Sequence, residues 1–292
     1  MRALLIHNPT AGTGSHTVET LSAFLSETGY TVSAYSTKEG LFKKCLKEPA
    51  DLILVAGGDG AVTRVIRRLP NFDAPFAILP LGTANNIARS VGIEGEADVL
   101  LDCVRKRITR PLDVGVVSGD RWKKRRFVEG VGGGLLAEWM LSGSNKPPAH
   151  ERTKIGRERL REALVKAVPR HWSLIVDGHE LSLELLLVEI LNTRFMGPAL
   201  PMGPSSALGD QLLDVVYLLP EARSEMLSWL DNPERNPSPL LVRQGRKIVL
   251  NWERGPLHVD DRTFECTNGE VILKLEPKSL RVCAPHPPSA KK

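Results

Sequence analysis

Short apolar runs alternate with glycine-bearing polar loops through the first third of the chain. Residues 3–6 form one such run, closed by Asn8-Pro9 and a loop rich in Gly, Ser and Thr. Within residues 17–28, Val18, Leu21, Phe24 and Leu25 recur at helical spacing. Residues 31–35 return to a strand pattern, followed by a short helix around 41–46. Residues 51–56 are almost wholly apolar, as a strand buried on both faces requires. After residues 57–60 a helix carries Val62, Val65, Ile66 and Leu69; residues 76–81 are another buried strand, and a helix starts near Asn85. Strand, loop and helix repeated in this order predict an α/β domain with a mostly parallel sheet.

The pattern changes after Pro111. Residues 114–117, 126–130, 171–176, 181–190 and 212–219 read as strands, and only 151–168 reads clearly as a helix. Further strands are expected at 247–251, 257–260, 271–275 and 279–282, with a turn at Gly132, Gly133 and Gly134. The second half is therefore expected to be a β-rich sandwich or layered sheet, with Trp139, Trp172, Trp229 and Trp252 in its core.

Composition narrows the class. The 292 residues are 42% hydrophobic, enough for a sizeable core, which excludes wholesale disorder. The longest apolar stretch, 181–191, is interrupted by Glu184 and Glu189, and a spanning helix needs roughly 20 mostly apolar residues. The first six residues are too short for a signal peptide and run straight into a polar glycine loop. The four cysteines, Cys45, Cys103, Cys266 and Cys283, are far apart with no CxxC pair, which argues against a metal or disulfide framework and makes a reducing cytoplasm the expected compartment. Lys and Arg total 39 against 34 Asp and Glu; the surplus of +5 permits an anionic partner without naming one.

Three glycine loops each follow a predicted strand: Asn8-Pro9-Thr10-Ala11-Gly12, Gly57-Gly58-Asp59-Gly60, and Pro80-Leu81-Gly82-Thr83. Glycine lets backbone N–H groups approach a phosphate, and a following helix N-terminus favours negative charge. Any one such loop is as readily an ordinary turn; three in succession weight the reading toward nucleotide. Neither G-x-G-x-x-G after the first strand nor G-x-x-x-x-G-K-[ST] occurs, which disfavours an ordinary dinucleotide enzyme or a P-loop protein.

With those loops the sequence resembles the diacylglycerol kinase catalytic-domain family, the soluble bacterial lipid kinases related to sphingosine and NAD kinases. The resemblance rests most strongly on Asp51-Leu-Ile-Leu-Val-Ala-Gly-Gly-Asp-Gly60 and Ile78-Leu-Pro-Leu-Gly-Thr-Ala-Asn-Asn86. The 8–12 loop, Ser33-Ala-Tyr-Ser-Thr37, Pro111-Leu-Asp-Val-Gly115, Asn192, Gly209-Asp-Gln-Leu-Leu-Asp-Val215 and Ser279-Leu-Arg-Val-Cys-Ala-Pro285 follow in the family's order. It implies an ATP-binding α/β domain of residues 1–110 plus 277–288, a β-rich lipid domain of 111–276 and a tail of 289–292. ATP would contact Asn8, Pro9, Thr10, Ala11, Gly12, Thr37, Gly57, Gly58, Asp59, Gly60, Ala61, Arg64, Gly82, Thr83 and Asn85, in an interdomain cleft. A structural Mg²⁺ would be held by Asp210, with carbonyls from Ala207 and Leu212; such oxygen donors suit a hard cation.

The chain departs from the family at acidic and hydroxyl positions. Ala61 stands where the family has threonine, Arg64 where it has a helix glutamate, and Asn86 where it has aspartate. The family's Asp-Gly-Glu catalytic turn aligns with Asp260-Asp261-Arg262. Asp260 is the expected base, accepting the hydroxyl proton. If the strand continues, residues 260 and 262 share a face and Arg262 lies beside Asp260, weakening the base but offering a phosphate contact. Two readings follow: an ATP- and Mg-dependent lipid kinase with a more anionic acceptor, or a weakened homologue that binds nucleotide or anionic lipid without efficient transfer.

The basic run Arg121, Lys123, Lys124, Arg125 and Arg126 around Trp122, and Lys154, Arg157, Arg159, Arg161, Lys166 and Arg170, could dock on an anionic membrane surface. A solvated face is the competing reading. With one aromatic and no reader motif, nucleic acid is not expected as a partner.

Overall fold

A computed structural model describes residues 1–9, 16–93, 97–119, 122–142, 148, 151–203, 208–266 and 268–285. The chain forms two compact units, Met1–Leu112 with Lys278–Lys292, and Asp113–Pro277. In chain order the first unit contains β1 (Arg2–His7), α1 (Val18–Glu27), β2 (Thr31–Ser36), α2 (Phe42–Cys45), β3 (Leu52–Gly57), α3 (Asp59–Ile66), β4 (Phe76–Pro80), α4 (Asn86–Ser90), α5 (Ala97–Lys106) and β5 (Thr109–Leu112). The second has β6 (Gly115–Gly119), β7 (Trp122–Phe127), β8 (Gly130–Gly134), α6 (Leu135–Ser142), α7 (Arg152–Lys166), β9 (Arg170–Val176), β10 (His179–Leu185), β11 (Leu187–Leu191), the short pair β12 (Phe195–Met196) and β13 (Leu200–Pro201), β14 (Leu213–Leu218) and α8 (Arg223–Trp229). It closes with β15 (Leu241–Gly245), β16 (Lys247–Trp252), β17 (Gly255–Val259), β18 (Arg262–Cys266) and β19 (Gly269–Leu275), after which β20 (Leu280–Cys283) returns to the first unit.

The first unit is built on one six-stranded sheet in the order β2-β1-β3-β4-β20-β5. Strands β1 to β4 and β20 pair in parallel, and β5 runs antiparallel to β20. All six residues of β3 are buried, the signature of a strand covered on both faces. Thr17 starts α1 by accepting from the Thr20 N–H at 3.2 Å, and Leu21 and Leu25 turn to the sheet.

The second unit contains two six-stranded sheets, β10-β9-β16-β19-β6-β7 and β15-β14-β11-β8-β17-β18. One core cluster lies between them, with Trp172, Leu174, Ile248 and Leu250 from the first sheet and Val131, Val188, Ile190 and Val259 from the second. The other face of the second sheet, through Leu187, Leu191, Val216 and Leu218, packs on α6, α7 and α8. The α/β unit with a parallel sheet and the β-rich sandwich expected from the sequence are both present; among the described residues three α-helices are added to the expectation, α5, α6 and α8.

Four local expectations are corrected. The Gly132–Gly134 turn is instead part of the wholly buried strand β8. Residues 181–190 are two strands: β10 belongs to the first sheet and β11 to the second, with a break at Leu186, whose N–H donates to the Leu218 carbonyl and whose carbonyl accepts from Leu135. Residues 126–130 straddle the end of β7 and the start of β8. The strand at 257–260 stops at Val259: Asp260 has φ of 51°, a left-handed turn conformation, and Val259 pairs with Arg262 across the hairpin. Arg262 therefore opens the next strand and does not share Asp260's strand face.

Candidate functional site

In the first unit four parallel strands deliver their following loops to one edge of the sheet. The order β2-β1-β3 places the reversal of winding between β1 and β3, where ligands bind in open α/β sheets. Asn8 leaves β1 there, its N–H donating to the Ala56 carbonyl at 2.9 Å, and Thr37 leaves β2 with its N–H on the His7 carbonyl at 2.9 Å. A Cβ at Gly57 would lie 2.8 Å from the Ala61 Cβ and 3.4 Å from that of Asn8, so glycine keeps this point of the crevice open. Pro9 precedes Thr10, Ala11 and Gly12, which lie outside the described residues.

The second and third glycine loops are fitted to each other. A Cβ at Gly82 would approach the Gly58 Cα to 2.5 Å and Asn85 Oδ1 to 2.7 Å, a distance no side chain tolerates. Asn85, at φ of 50°, ties its own turn: Oδ1 accepts from the Gly82 N–H at 2.9 Å and Nδ2 donates to the Gly82 and Pro80 carbonyls at 3.0 and 3.3 Å. Asp59 opens α3 and accepts from the Ile87 N–H at 3.0 Å, fastening the start of α4. Burial pushes the Asp59 carboxyl up, while N–H groups at Ile87, Asn86, Asp59 and Asn85 work against that rise. Gly60 and Ala61 fill the first turn of α3, whose cap at Gly58 has no side-chain hydrogen bond. Thr83 is exposed at the tip of its loop, and Arg64, also exposed, donates to the Thr37 carbonyl at 3.3 Å. Asn86, where the family pattern has an acid, is buried in α4.

In the second unit, Asp260 is fully buried. Its Oδ1 accepts from the N–H groups of Val128, Glu129 and Gly130 at 3.0, 2.8 and 3.3 Å, and its Oδ2 from Val128 at 3.2 Å. Arg262 is exposed on β18. Asn192 bridges the same segment to the start of the unit, donating to the Val128 and Asp113 carbonyls at 2.7 and 2.8 Å. Asp113 in turn accepts from the backbone and side chain of Gln211, which anchors the turn beginning at Gly209.

Asp210 lies exposed in that turn, its Oδ1 accepting from the Leu212 N–H at 3.0 Å. The nearby Asp214 carboxyl is pushed up to about 6, first by burial and further by the charge of Asp210, against a hydrogen bond from Gln244. The charge of Asp210 felt at Asp214 marks the two carboxylates as neighbours, and carboxylate oxygens are ligands that suit a hard cation. Ala207 lies outside the described residues, and among those described no cluster of three or more His, Cys, Asp or Glu gathers to hold a metal.

Sequence reasoning missed the buried pair formed by Glu189 and His258. His258 Nε2 lies 2.8 Å from Glu189 Oε2, and Nδ1 lies 3.1 Å from the Asp260 carbonyl. Burial pushes the Glu189 carboxyl up. It also opposes charge on His258, whose pKa is nevertheless raised by the carboxylate beside it. The only signal in sequence was an acid inside an apolar run.

Much of the basic surface is committed within the second unit. Arg125 stacks over the Phe264 ring at 5.0 Å and Arg126 pairs with Glu276 at 2.9 Å. Arg157 donates to the Pro198 and Ala199 carbonyls, Arg161 to Leu227 and Asp231, and Arg170 to Glu138. Lys123 and Lys124 remain exposed on β7.

Paired glycine loops on a parallel sheet, followed by a β-sandwich unit, give the chain a fold shared with solved diacylglycerol kinase and NAD kinase structures. The structure matches a crystal structure of a diacylglycerol kinase from Bacillus anthracis str. Sterne with a TM-score of 0.76, over 97% of each chain at 21% identity. It matches an NAD kinase from Archaeoglobus fulgidus in complex with ATP at 0.59, over 97% of this chain and 93% of that one at 14% identity. Residues 2–117 match the family model of the diacylglycerol kinase catalytic domain. The sequence is 31% identical over 93% of both chains to diacylglycerol kinase of Bacillus subtilis (strain 168). It is 28% identical to that of Mycobacterium tuberculosis (strain ATCC 25618 / H37Rv), over 64% of this chain and 61% of the relative. The chain belongs to the diacylglycerol kinase family of lipid kinases.

Proposed function

We propose that the chain transfers the γ-phosphate of ATP to a lipid hydroxyl at a membrane surface, with diacylglycerol the first acceptor to test. The observation that carries this reading is the 31% identity, over 93% of both chains, to a protein named diacylglycerol kinase. The loops around Asn8, Thr37, Gly58 and Gly82 hold the nucleotide. Asp260 accepts the hydroxyl proton as the oxygen attacks phosphorus, the bond to the β-phosphate oxygen breaks, and ADP leaves. Mg²⁺ bound with the triphosphate would supply charge neutralisation, and Asp210 would hold a second, structural ion. Arg64 and Arg262, both exposed where the family pattern has acids, favour an anionic acceptor.

Radiolabelled ATP supplied with vesicles of diacylglycerol, phosphatidylglycerol or a sphingoid base should label at least one lipid, and chelation of divalent ions should stop it. Asp260→Asn should lower transfer about 10²- to 10⁴-fold, the range of general-base catalysis. Full activity in that variant would remove Asp260 from the role. The enclosure of the Asp260 carboxylate by three backbone N–H groups favours a second reading, a homologue that binds without efficient transfer. Mg-ATP binding with no labelled lipid is the outcome that reading expects, and a chain that binds no Mg-ATP fits neither.

A further inference from the structure

Glu189 and His258 are not neighbours in their sheet. Strand β8 runs between their strands, and the register places Gly132 opposite both: Glu189 pairs with Gly132 on one side and His258 pairs with Gly132 on the other. Adjacent strands lie about 4.8 Å apart, so the two side chains must meet across a gap of about twice that. They meet because the residue between them has no side chain. A Cβ at Gly132 would lie 2.1 Å from a Glu189 carboxylate oxygen.

Hydrogen-bond chemistry fixes how the ring is used. The Asp260 carbonyl only accepts, so His258 Nδ1 carries a proton and donates to it. Nε2 then shares the remaining hydrogen bond with Glu189. Both residues are 0% exposed, and Glu189 Oε1 has no hydrogen-bond partner among the described residues. A buried polar pair with an orphaned oxygen is a poor source of stability compared with apolar residues of similar size. What the pair reaches is Asp260: His258 holds its carbonyl at a left-handed turn, and the Asp260 carboxylate in turn gathers the N–H groups of Val128, Glu129 and Gly130.

We propose that Glu189 and His258, meeting across Gly132, are positioning residues that set the Asp260 turn and aim its carboxylate. This rests on the reading of Asp260 as the base, and the test separates the two. In the full chain, Glu189→Gln should shift the backbone amide NMR signals of Val128, Glu129 and Gly130. It should lower kcat about 10- to 100-fold with KM for ATP unchanged, the scale of a misplaced reacting group. Unmoved amide signals in the folded variant would overturn the inference, whatever its activity. Moved signals with unchanged kcat, while Asp260→Asn is inactive, would overturn its catalytic consequence. Moved signals with both variants fully active would support the positioning and remove only the base. Should Glu189→Gln not fold, nitrogen NMR of the wild-type ring decides: Nδ1 protonated supports the arrangement, and Nδ1 unprotonated overturns it.

Discussion

Gly82 and Asp59 show how single residues in the first unit hold its glycine loops together. Because the obstacle to a Cβ at Gly82 is the Gly58 backbone, no side-chain adjustment relieves it. Gly82→Ala should therefore part the two loops, lowering the melting temperature and weakening ATP binding by tenfold or more, about 1.4 kcal/mol, in a calorimetric titration. Asp59→Ala removes the acceptor for the Ile87 N–H and should cost about 1 kcal/mol of stability, as loss of a helix cap does, measured by denaturant unfolding. The glycines and Asp59 were legible because each acts within a short motif. Glu189 and His258 were not, since 69 positions separate them and their meeting depends on a register that no local pattern encodes. Asp260 stood out in the sequence as a motif residue, but its geometry did not: its turn follows from a two-residue hairpin loop, Asp260-Asp261, rather than from strand alternation.

Among the elements, β8 departs furthest from what its residues suggest. Four glycines in five positions read as a turn, yet the strand is buried because its neighbours supply the volume: Trp172 lies against Gly133 on the sandwich side and Glu189 against Gly132 on the other. Gly133→Ala would set a Cβ 2.3 Å from the Trp172 ring and should destabilise the chain by about 1–3 kcal/mol in urea unfolding, the usual penalty for overfilling a core. The hairpin joining β9 and β10 is more readable. Asp177-Gly178, both left-handed, form the two-residue loop that matches strand twist. The Asp177 carboxylate also accepts from the Arg246 and Lys247 N–H groups, which hold its carboxyl below the ordinary 3.8. A lowered folded value means that this stabilisation is complete above about pH 4 and disappears as pH falls through the folded value. Asp177→Asn should therefore melt earlier than the wild type at pH 7, with the gap narrowing toward pH 2 in thermal melts. The change of sheet between β10 and β11 escaped the sequence because no polar turn separates the alternating positions of β10 from the nearly continuous apolar run of β11, and only Leu186 marks the switch.

At the scale of the molecule, the α/β and β-rich halves were visible in hydrophobic periodicity, whereas the return of the chain end to the first unit was implied only by the resemblance to the family. The returning strand, β20, sits between β4 and β5, with Leu280 and Val282 wholly buried. A chain stopped after Pro277 should lose the cooperative unfolding of the first unit and expose it to proteolysis, read by limited digestion against the intact protein. If the first unit stays resistant, β20 is dispensable to it. The placement of β20 also sets an order on the birth of the protein. Everything from Asp113 to Pro277 intervenes between β5 and its partner. At typical ribosomal speeds that interval lasts on the order of ten seconds. Through it the first unit waits with two unpaired strand edges, one on β4 and one on β5, so a chaperone has its longest opportunity there, and the second unit can complete its own fold before the first is sealed.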